Sequence, residues 1–346
     1  MDRYFDIIAG RQRGWAADAV RLALSMCAIP YLVVSELRNL GYRRGLFPVQ
    51  SVDAPVISIG NLTTGGTGKT PTVAWLIHQL QEQGQRPAII SRGYRSLNGE
   101  ENDEKRLLDE LCRDVPHVQN RRRINAAREL LNSSTSNVLV LDDGFQHRRL
   151  HRDLDLVLLD ALNPWGFEAL LPRGLLRERR QHLDRAHLFL LTRCDLVPEE
   201  RLQEITQQVR AFSQSPILRT TFQPRQFVNA TGEVLSLEQA SQHRGMAFCG
   251  IGNPEGFRRT LTQLALGISE ESLIRFPDHH HYSSADLQRI QERAETRGAE
   301  ILLTTRKDLV KIRQDHLGNI PLWALDISLT FQEDPAVLTG LLRTLF

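Results

Sequence analysis

Eight consecutive residues, 63–70, have the composition of a loop that binds phosphate groups. Their sequence, TTGGTGKT, lies between an apolar run, residues 55–59, and a helix that the pattern predicts from residue 70. Glycines let backbone N–H groups turn towards phosphate oxygens, and the N-terminus of the following helix favours anions. Lys69 can then reach the β- and γ-phosphates of a nucleotide, and the Thr70 hydroxyl can bind Mg²⁺. The predicted nucleotide-binding residues are Thr63, Thr64, Gly65, Gly66, Thr67, Gly68, Lys69 and Thr70.

A second nucleotide signal is the run NVLVLDDGFQH, residues 137–147, a predicted strand that ends in Asp142 and Asp143. A carboxylate at the end of a strand beside a phosphate loop can hold Mg²⁺, directly or through water. Paired aspartates also occur as plain turn residues. The phosphate loop favours the metal interpretation of Asp142 and Asp143. The loop itself departs from the strict pattern at one position, where this chain has Thr63 instead of glycine.

These loops need a sheet to position them. Short runs rich in Val, Ile and Leu, without polar alternation, are typical of strands buried on both faces of a parallel sheet. Predicted helices separate several of the runs, for example residues 70–83 and 124–131. The pattern predicts an α/β fold of the P-loop NTPase type, with a doubly wound, mainly parallel sheet. The predicted strands are residues 55–59, 86–90, 137–141, 154–159 and 187–191.

The pattern changes near residue 215, where short strand-like segments link the first α/β pattern to another. The linking strands are expected at 218–221, 226–229 and 234–236, and the second pattern begins with a strand at 246–251. We therefore expect a second, smaller α/β domain joined by short β segments. The expected division is 1–45 for an N-terminal helical region, 46–215 for the nucleotide-binding domain and 216–346 for the second domain.

Composition bounds the function. The chain has 346 residues, enough for two domains, and 43 basic against 41 acidic residues give a net charge of +2. Such a balance predicts no nucleic-acid partner. Cys27, Cys112, Cys194 and Cys249 are too widely spaced to suggest a metal site or a disulfide framework.

The N-terminal region contains an apolar run of a dozen residues, 23–34, interrupted by Pro30. A membrane-spanning helix needs about 20 apolar residues, and a signal peptide carries its apolar run nearer the start. The segment from about residue 16 to 42 instead predicts an amphipathic helix, followed by Arg43 and Arg44. It could lie in a membrane interface or pack on the domain behind it, and the residues alone favour neither.

An ordered set of motifs resembles the tetraacyldisaccharide 4′-kinase (lipid A 4′-kinase) family of Gram-negative bacteria. The resemblance runs from the N-terminal helix almost to the C-terminus, and the order of the motifs is what makes it specific. The motifs are GNLTTGGTGKTP (60–71), SRGY (91–94), LDDGFQHRRL (141–150), LLPRGLLRE (170–178), FCGIGNP (248–254), FPDHHHY (276–282) and TTRKDLVK (304–311).

The resemblance implies an activity and a location. It implies a Mg²⁺-dependent kinase that moves the γ-phosphate of ATP to the 4′-hydroxyl of a tetraacylated glucosamine disaccharide 1-phosphate, a lipid A precursor. It also implies a two-domain protein whose N-terminal helix associates with the cytoplasmic face of the inner membrane. A monomer is expected.

The resemblance also implies the catalytic residues. It assigns the acceptor base to Asp103, in the run ENDEKRLL without the flanking glycine and proline of the family motif, and a partner histidine to His279. Asp103 would accept the hydroxyl proton while His279 tunes its pKa. Arg177 is expected at the transferring phosphate, with Glu178 beside it as a further metal ligand. For Asp103 and the histidine run, a solvated surface position is the alternative.

Other arginines cluster at 121–123 and at 173, 179 and 180. They could be solvated, or could meet the substrate's 1-phosphate and anionic lipid.

Two other functions use the same phosphate loop. A GTPase or metallochaperone-type ATPase would read guanine with an [NT]KxD element, which the runs 192–195 and 304–308 resemble faintly; Arg193 stands where lysine is needed. A membrane-bound nucleotide switch would need no acceptor base. Turnover with ATP and GTP, and product formation on a lipid disaccharide, separate these functions.

Overall fold

The computed structural model describes residues 2–93, 103–278 and 280–346, in which strands and helices alternate along most of the chain. The strands are β1 (Val56–Asn61), β2 (Pro87–Ser91), β3 (His117–Gln119), β4 (Val138–Asp142), β5 (Leu154–Asp160), β6 (Leu188–Thr192), β7 (Ile217–Val228), β8 (Val234–Leu235), β9 (Gly245–Cys249), β10 (Leu273–Arg275), β11 (Ile301–Thr305), β12 (His316–Leu317) and β13 (Ile320–Phe331). The helices are α1 (Asp2–Ile8), α2 (Trp15–Arg43), α3 (Lys69–Glu82), α4 (Asp103–Leu111), α5 (Arg123–Ser133), α6 (Glu199–Arg210), α7 (Leu237–Ser241), α8 (Pro254–Gln263), α9 (Ser284–Thr296), α10 (Arg306–Ile312) and α11 (Ala336–Arg343).

The first compact unit is built on a parallel sheet with the strand order β7-β6-β5-β1-β4-β2-β3. The strands β1, β2, β4 and β6 are buried at every position, as expected for a sheet covered on both faces. Two apolar cores lie against it, one containing the fully buried Phe145, Trp165 and Phe189. The predicted α/β fold and its five strands are confirmed, each strand within about two residues of its expected bounds.

The second compact unit has a smaller parallel sheet, with the order β10-β9-β11-β13. Its core includes Phe248, Ile290 and Leu322, all fully buried. Because the strands are parallel, their carboxyl ends meet at one edge, where the motifs 248–254, 276–282 and 304–311 follow them.

The chain passes between the two compact units more than once. The first unit includes residues 111–221 and 329–346, whereas residues 103–110 belong to the second unit with 222–328. The expected strands 218–221 and 226–229 form one strand, β7, in which Pro224 is accommodated in a half-exposed stretch. The final segment adds Leu338 and Leu342 to buried positions of the first unit, and the Phe331 ring packs 4.9 Å from Trp75.

The N-terminal helix α2 has an inner polar side and an outer apolar side. Exposed side chains spaced three or four residues apart form one stripe, defined by Leu22, Met26, Ile29, Val33 and Leu37. The helix continues through Pro30 for 29 residues, about 43 Å at 1.5 Å per residue. By length and composition alone α2 could cross a membrane, contrary to the expectation from the dozen-residue apolar run.

Candidate functional site

The predicted phosphate loop joins the end of β1 to the start of α3. Gly65 and Gly68 have φ angles of 112° and 92°, a backbone conformation that glycine adopts freely and that is strained for a residue with a side chain. Gly65 and Gly66 are exposed, so their backbone faces open space. The loop therefore has the conformation and the accessibility that phosphate binding requires.

Asn61, the last residue of β1, forms hydrogen bonds with two side chains of the loop. Its amide nitrogen donates to the Thr67 hydroxyl over 3.0 Å, and its amide oxygen accepts from Lys69 Nζ at 3.4 Å. Gln146 Nε2 donates to the Asn61 carbonyl at 2.9 Å. Both residues lie within the motifs 60–71 and 141–150, but their types alone do not mark them as functional.

The end of β6 holds the other side of the loop. The Thr192 hydroxyl donates to the Thr67 carbonyl at 3.1 Å, and Arg193 Nη2 donates to the Gly66 carbonyl at 2.7 Å. Arg193 also forms an ion pair with Asp160 at the end of β5. The residue that breaks the guanine-reading pattern thus anchors the phosphate loop.

Asp143 lies beside Lys69, with 3.6 Å between the carboxylate and the ammonium nitrogen. Arg177 Nη1 donates to both Asp143 oxygens, at 2.8 and 2.7 Å, and to the Gln146 side-chain oxygen at 3.0 Å. Burial would raise the pKa of Asp143, but the charges of Lys69 and Arg177 outweigh it and lower that pKa to about 2. The carboxylate is therefore ionised at neutral pH.

Asp142 is the last residue of β4 and stands in register with Ile59 of β1. Its side chain is nearly buried, and its carbonyl accepts from Arg123, whose guanidinium is also buried. A side chain at Gly60 would place its Cβ 2.7 Å from the Phe145 backbone nitrogen. The absence of a side chain there lets the turn after Asp143 approach the phosphate loop.

Glu178, the further metal ligand expected from the resemblance, is held in two ion pairs. Its side chain is 0% exposed, and its two oxygens form ion pairs with Arg38 at 2.7 Å and Arg185 at 2.6 Å. Buried carboxylates are paired with cations in this way because an unpaired charge is costly to bury. Because both of its oxygens are engaged by arginines, we do not include Glu178 in the proposed Mg²⁺ site.

Two further arginines of the second cluster, Arg173 and Arg180, also have structural partners. Arg173 donates to the Ile8 carbonyl at 3.0 Å. Arg180 pairs with Glu168 at 3.0 Å and lies 4.4 Å from the Trp165 ring centre. These contacts account for both side chains without a substrate phosphate.

Asp103 is the first residue of α4, and its side chain is only 15% exposed. Its carboxylate lies 3.9 Å from Lys311 Nζ, and Lys311 itself is 4% exposed. Lys311 also donates to Asp308 at 3.4 Å. Asp103 is therefore not the solvated carboxylate that the charged run suggested as an alternative. His279 lies outside the described residues.

The neighbouring residues of the second unit are held by local contacts. His280 lies 3.1 Å from an Asp286 oxygen and stacks on Phe276, with 4.6 Å between ring centres. Asp308 is fully buried and accepts from the Gly250 backbone N–H at 3.0 Å and the Thr305 hydroxyl at 2.7 Å. A carboxylate engaged in this way is not available to read a guanine base.

Mg²⁺ binding fits the residues of the phosphate site. Across residues 2–93, 103–278 and 280–346 there is no group of three or more His, Cys, Asp or Glu side chains arranged to hold a metal. Mg²⁺ in nucleotide sites needs no such cage, because one or two carboxylates and the substrate phosphates hold it together with water. Thr70 at the start of α3, with Asp142 and Asp143 at the end of β4, meets that requirement.

Comparison with known proteins gives one consistent result. A family model described as tetraacyldisaccharide-1-P 4′-kinase matches residues 20–345. The tetraacyldisaccharide 4′-kinase of Halothermothrix orenii is 33% identical over 94% of this chain and 93% of its own length. That of Geobacter sulfurreducens is 36% identical over 97% and 96%. A crystal structure of LpxK from Aquifex aeolicus in complex with ATP superposes with a TM-score of 0.76 at 29% identity, covering 94% of this chain and 99% of that one.

Proposed function

The chain belongs to the tetraacyldisaccharide 4′-kinase family, and we propose how its residues divide the work of that reaction. It is an ATP-dependent kinase that phosphorylates the 4′-hydroxyl of a tetraacylated disaccharide 1-phosphate, a precursor of lipid A. The observation that carries the assignment within the molecule is Lys69, at the start of α3, facing Asp143 across 3.6 Å.

The phosphate loop binds the ATP phosphates. We expect the backbone N–H groups of Gly65, Gly66 and Gly68 to donate to phosphate oxygens, since those of Thr64 and Thr67 bond to the Leu175 and Gly65 carbonyls. The N-terminus of α3 adds a favourable dipole. Lys69 holds the β- and γ-phosphates once they compete with Asp143 for its ammonium group. The contacts of Asn61 and Arg193 keep the loop open before ATP arrives, which lowers the conformational cost of binding.

Thr70, Asp142 and Asp143 are the proposed Mg²⁺ site. When bound, the ion neutralises charge on the β- and γ-phosphates. Asp143 is already an anion at neutral pH, because its pKa is held at about 2 by the neighbouring cations. It can therefore act as a ligand or position a water ligand without first losing a proton.

Arg177 is proposed to stabilise the transferring phosphoryl group. Its guanidinium is fixed by Asp143 and Gln146 beside Lys69. Positioned donors of this kind act where negative charge develops, and guanidinium matches phosphate oxygens in pairs. Arg177 is thus proposed to contact the phosphoryl group, whereas its neighbour Glu178 contributes to the packing of α2.

Asp103 is the proposed acceptor base, with His279 as its partner. A sugar hydroxyl is a weak nucleophile and loses its proton as the new P–O bond forms. The low exposure of Asp103 and the adjacent Lys311 support a carboxylate kept in a defined position. The alternative functions, a GTPase and a nucleotide switch without an acceptor, are not favoured by the family match.

The family acts on a membrane-associated lipid, and the apolar helix α2 is consistent with membrane contact. We propose that α2 lies in the cytoplasmic interface of the inner membrane and does not cross it. On its inner side, Tyr31, Glu36 and Arg38 form hydrogen bonds and ion pairs with the rest of the first unit. A helix that crossed the bilayer would carry these polar groups into a region without water. The outer stripe is then free to enter the lipid, and the exposed Arg43 and Arg44 can meet anionic head groups. One chain supplies all of these groups, which supports a monomer.

The activity is tested with the full chain, ATP, Mg²⁺ and the tetraacyldisaccharide 1-phosphate in detergent micelles. We expect transfer of one γ-phosphate to the acceptor, with GTP a poorer donor than ATP. Nucleotide hydrolysis that never phosphorylates the disaccharide would contradict the assignment and favour a switch.

The membrane assignment predicts that polar substitutions on the outer stripe of α2 release the protein from lipid. Replacing Leu22, Ile29 and Val33 together by glutamine should weaken partitioning onto anionic vesicles by at least about tenfold, because each removes apolar area from the interface. Cosedimentation with vesicles measures the effect.

The matched control replaces three exposed apolar residues elsewhere, Leu162, Val234 and Ile327, by glutamine. It should bind vesicles like the unmodified chain. Alkaline extraction distinguishes the two modes of membrane contact, since an interfacial helix is released and a spanning helix is retained. Retention of the protein after extraction would overturn the interfacial assignment.

A further inference from the structure

The loop of residues 170–178, which carries Arg177, is bound to the phosphate loop by its backbone. The Thr64 N–H donates to the Leu175 carbonyl at 2.8 Å, and the Arg177 N–H donates to the Leu62 carbonyl at 2.8 Å. Thr63 and Leu176 form an isolated antiparallel bridge between these two bonds. The loop is therefore tied to the phosphate loop by backbone hydrogen bonds on both sides of this bridge.

The opposite side of the same loop is held by α2. The Tyr31 hydroxyl donates to the Arg177 carbonyl at 3.0 Å, and Arg38 pairs with the buried Glu178 at 2.7 Å. Burial raises the pKa of Tyr31, so its hydroxyl stays protonated and remains a donor. Two adjacent residues of the loop, Arg177 and Glu178, are thus fixed from the inner face of the helix.

We propose that Tyr31 and Arg38 are positioning residues for phosphoryl transfer. The outer stripe of α2 contacts the lipid, and the inner side of the same helix holds Arg177 in place. The Arg177 backbone is fixed by α2 through its carbonyl, and by Leu62, the residue after β1, through its N–H. From that backbone position its side chain donates to Asp143 at 2.7 Å. This inference rests on the proposed role of Arg177 at the phosphate.

A small displacement of a group such as the Arg177 guanidinium lowers the rate of the chemical step. Charge stabilisation in a transition state depends on donors held at hydrogen-bond distance from where the charge develops. One hydroxyl-to-carbonyl bond contributes about 1 kcal/mol, which corresponds to roughly a fivefold effect on a rate if it is fully expressed in the transition state. The expected effect on turnover is therefore modest and specific.

The test compares Tyr31→Phe with Ser25→Ala. Each variant removes one hydroxyl from α2 that donates to a backbone carbonyl, at 3.0 Å for Tyr31 and 2.8 Å for Ser25. Tyr31→Phe should lower kcat by up to about fivefold, with unchanged vesicle binding and a thermal midpoint lowered no more than that of Ser25→Ala. Ser25→Ala should leave kcat unchanged.

A cycle with Arg177→Lys shows whether Tyr31 acts through the arginine. In the Arg177→Lys background, Tyr31→Phe should change kcat by less than about twofold, because the group that it positions has been replaced. Equal losses in both backgrounds would overturn the inference, and so would an unchanged kcat in Tyr31→Phe alone.

The same cycle separates this inference from the role of Arg177. If Arg177→Lys costs little activity, the role of Arg177 at the phosphate is wrong. If Arg177→Lys costs much and Tyr31→Phe costs nothing, the role of Arg177 stands and the positioning by α2 is wrong. Arg38→Lys supplies a second variant that keeps the charge beside Glu178 but loses the guanidinium geometry; it should lower kcat in the same direction as Tyr31→Phe.

Discussion

Lys69→Ala is expected to lower kcat by at least about a thousandfold while the protein remains folded. The lysine is the group that joins the β- and γ-phosphates to the loop, and alanine leaves no cation in its place. Its side chain belongs to no apolar core, and Asp143 keeps Arg177 as a partner after the substitution. The measurement is phosphate transfer to the lipid acceptor at saturating ATP, with circular dichroism to verify the fold.

Lys69→Arg is the graded control. It keeps the positive charge but changes the shape and reach of the donor, so its kcat should lie between those of Lys69→Ala and the unmodified chain. Near-normal turnover by a folded Lys69→Ala protein would defeat the assignment of residues 63–70 to phosphate binding.

Asp103→Ala and His279→Ala are each expected to lower kcat by roughly a hundredfold or more, the usual scale for a positioned acid–base group. If the histidine acts through the carboxylate, the double substitution should cost far less than the product of the two single losses. ATP binding should survive both changes, because neither residue belongs to the phosphate loop. Initial rates and ATP affinity of the four proteins complete the cycle.

The chain offers a matched control for each residue. Glu104 follows Asp103 on α4 and is exposed, and His281 belongs to the same histidine run and is exposed. Glu104→Ala and His281→Ala should each keep kcat within about twofold. Multiplicative losses at Asp103 and His279 would refute the pairing, and a fully active Asp103→Ala enzyme would show that another carboxylate is the base.

Local chemistry explains why the phosphate site was predictable. A strand, a glycine loop and a helix lie within residues 55–83, so composition and spacing define the loop before any tertiary contact forms. The pairing of Asp143 with Lys69 needs only that β4 lies next to β1, which parallel α/β folds provide.

Contacts between distant segments were not predictable. Glu178 has the residue type of a metal ligand, and only its burial between Arg38 and Arg185 assigns it to the packing of α2. Lys311 is separated from Asp103 by about two hundred positions, and no periodicity connects them. Nothing local in the sequence of α4 showed that it packs with the later half of the chain.

The return of residues 329–346 to the first unit sets an order of events during synthesis. Ribosomes add residues in sequence, so the whole second unit emerges before Leu338 and Leu342 can fill their buried positions. The ring of Trp75 likewise cannot pack on Phe331, about 250 positions later in the chain, until that residue has been synthesised. The nucleotide-binding half of the nascent enzyme begins first and is completed last, and contacts of such long sequence separation form slowly.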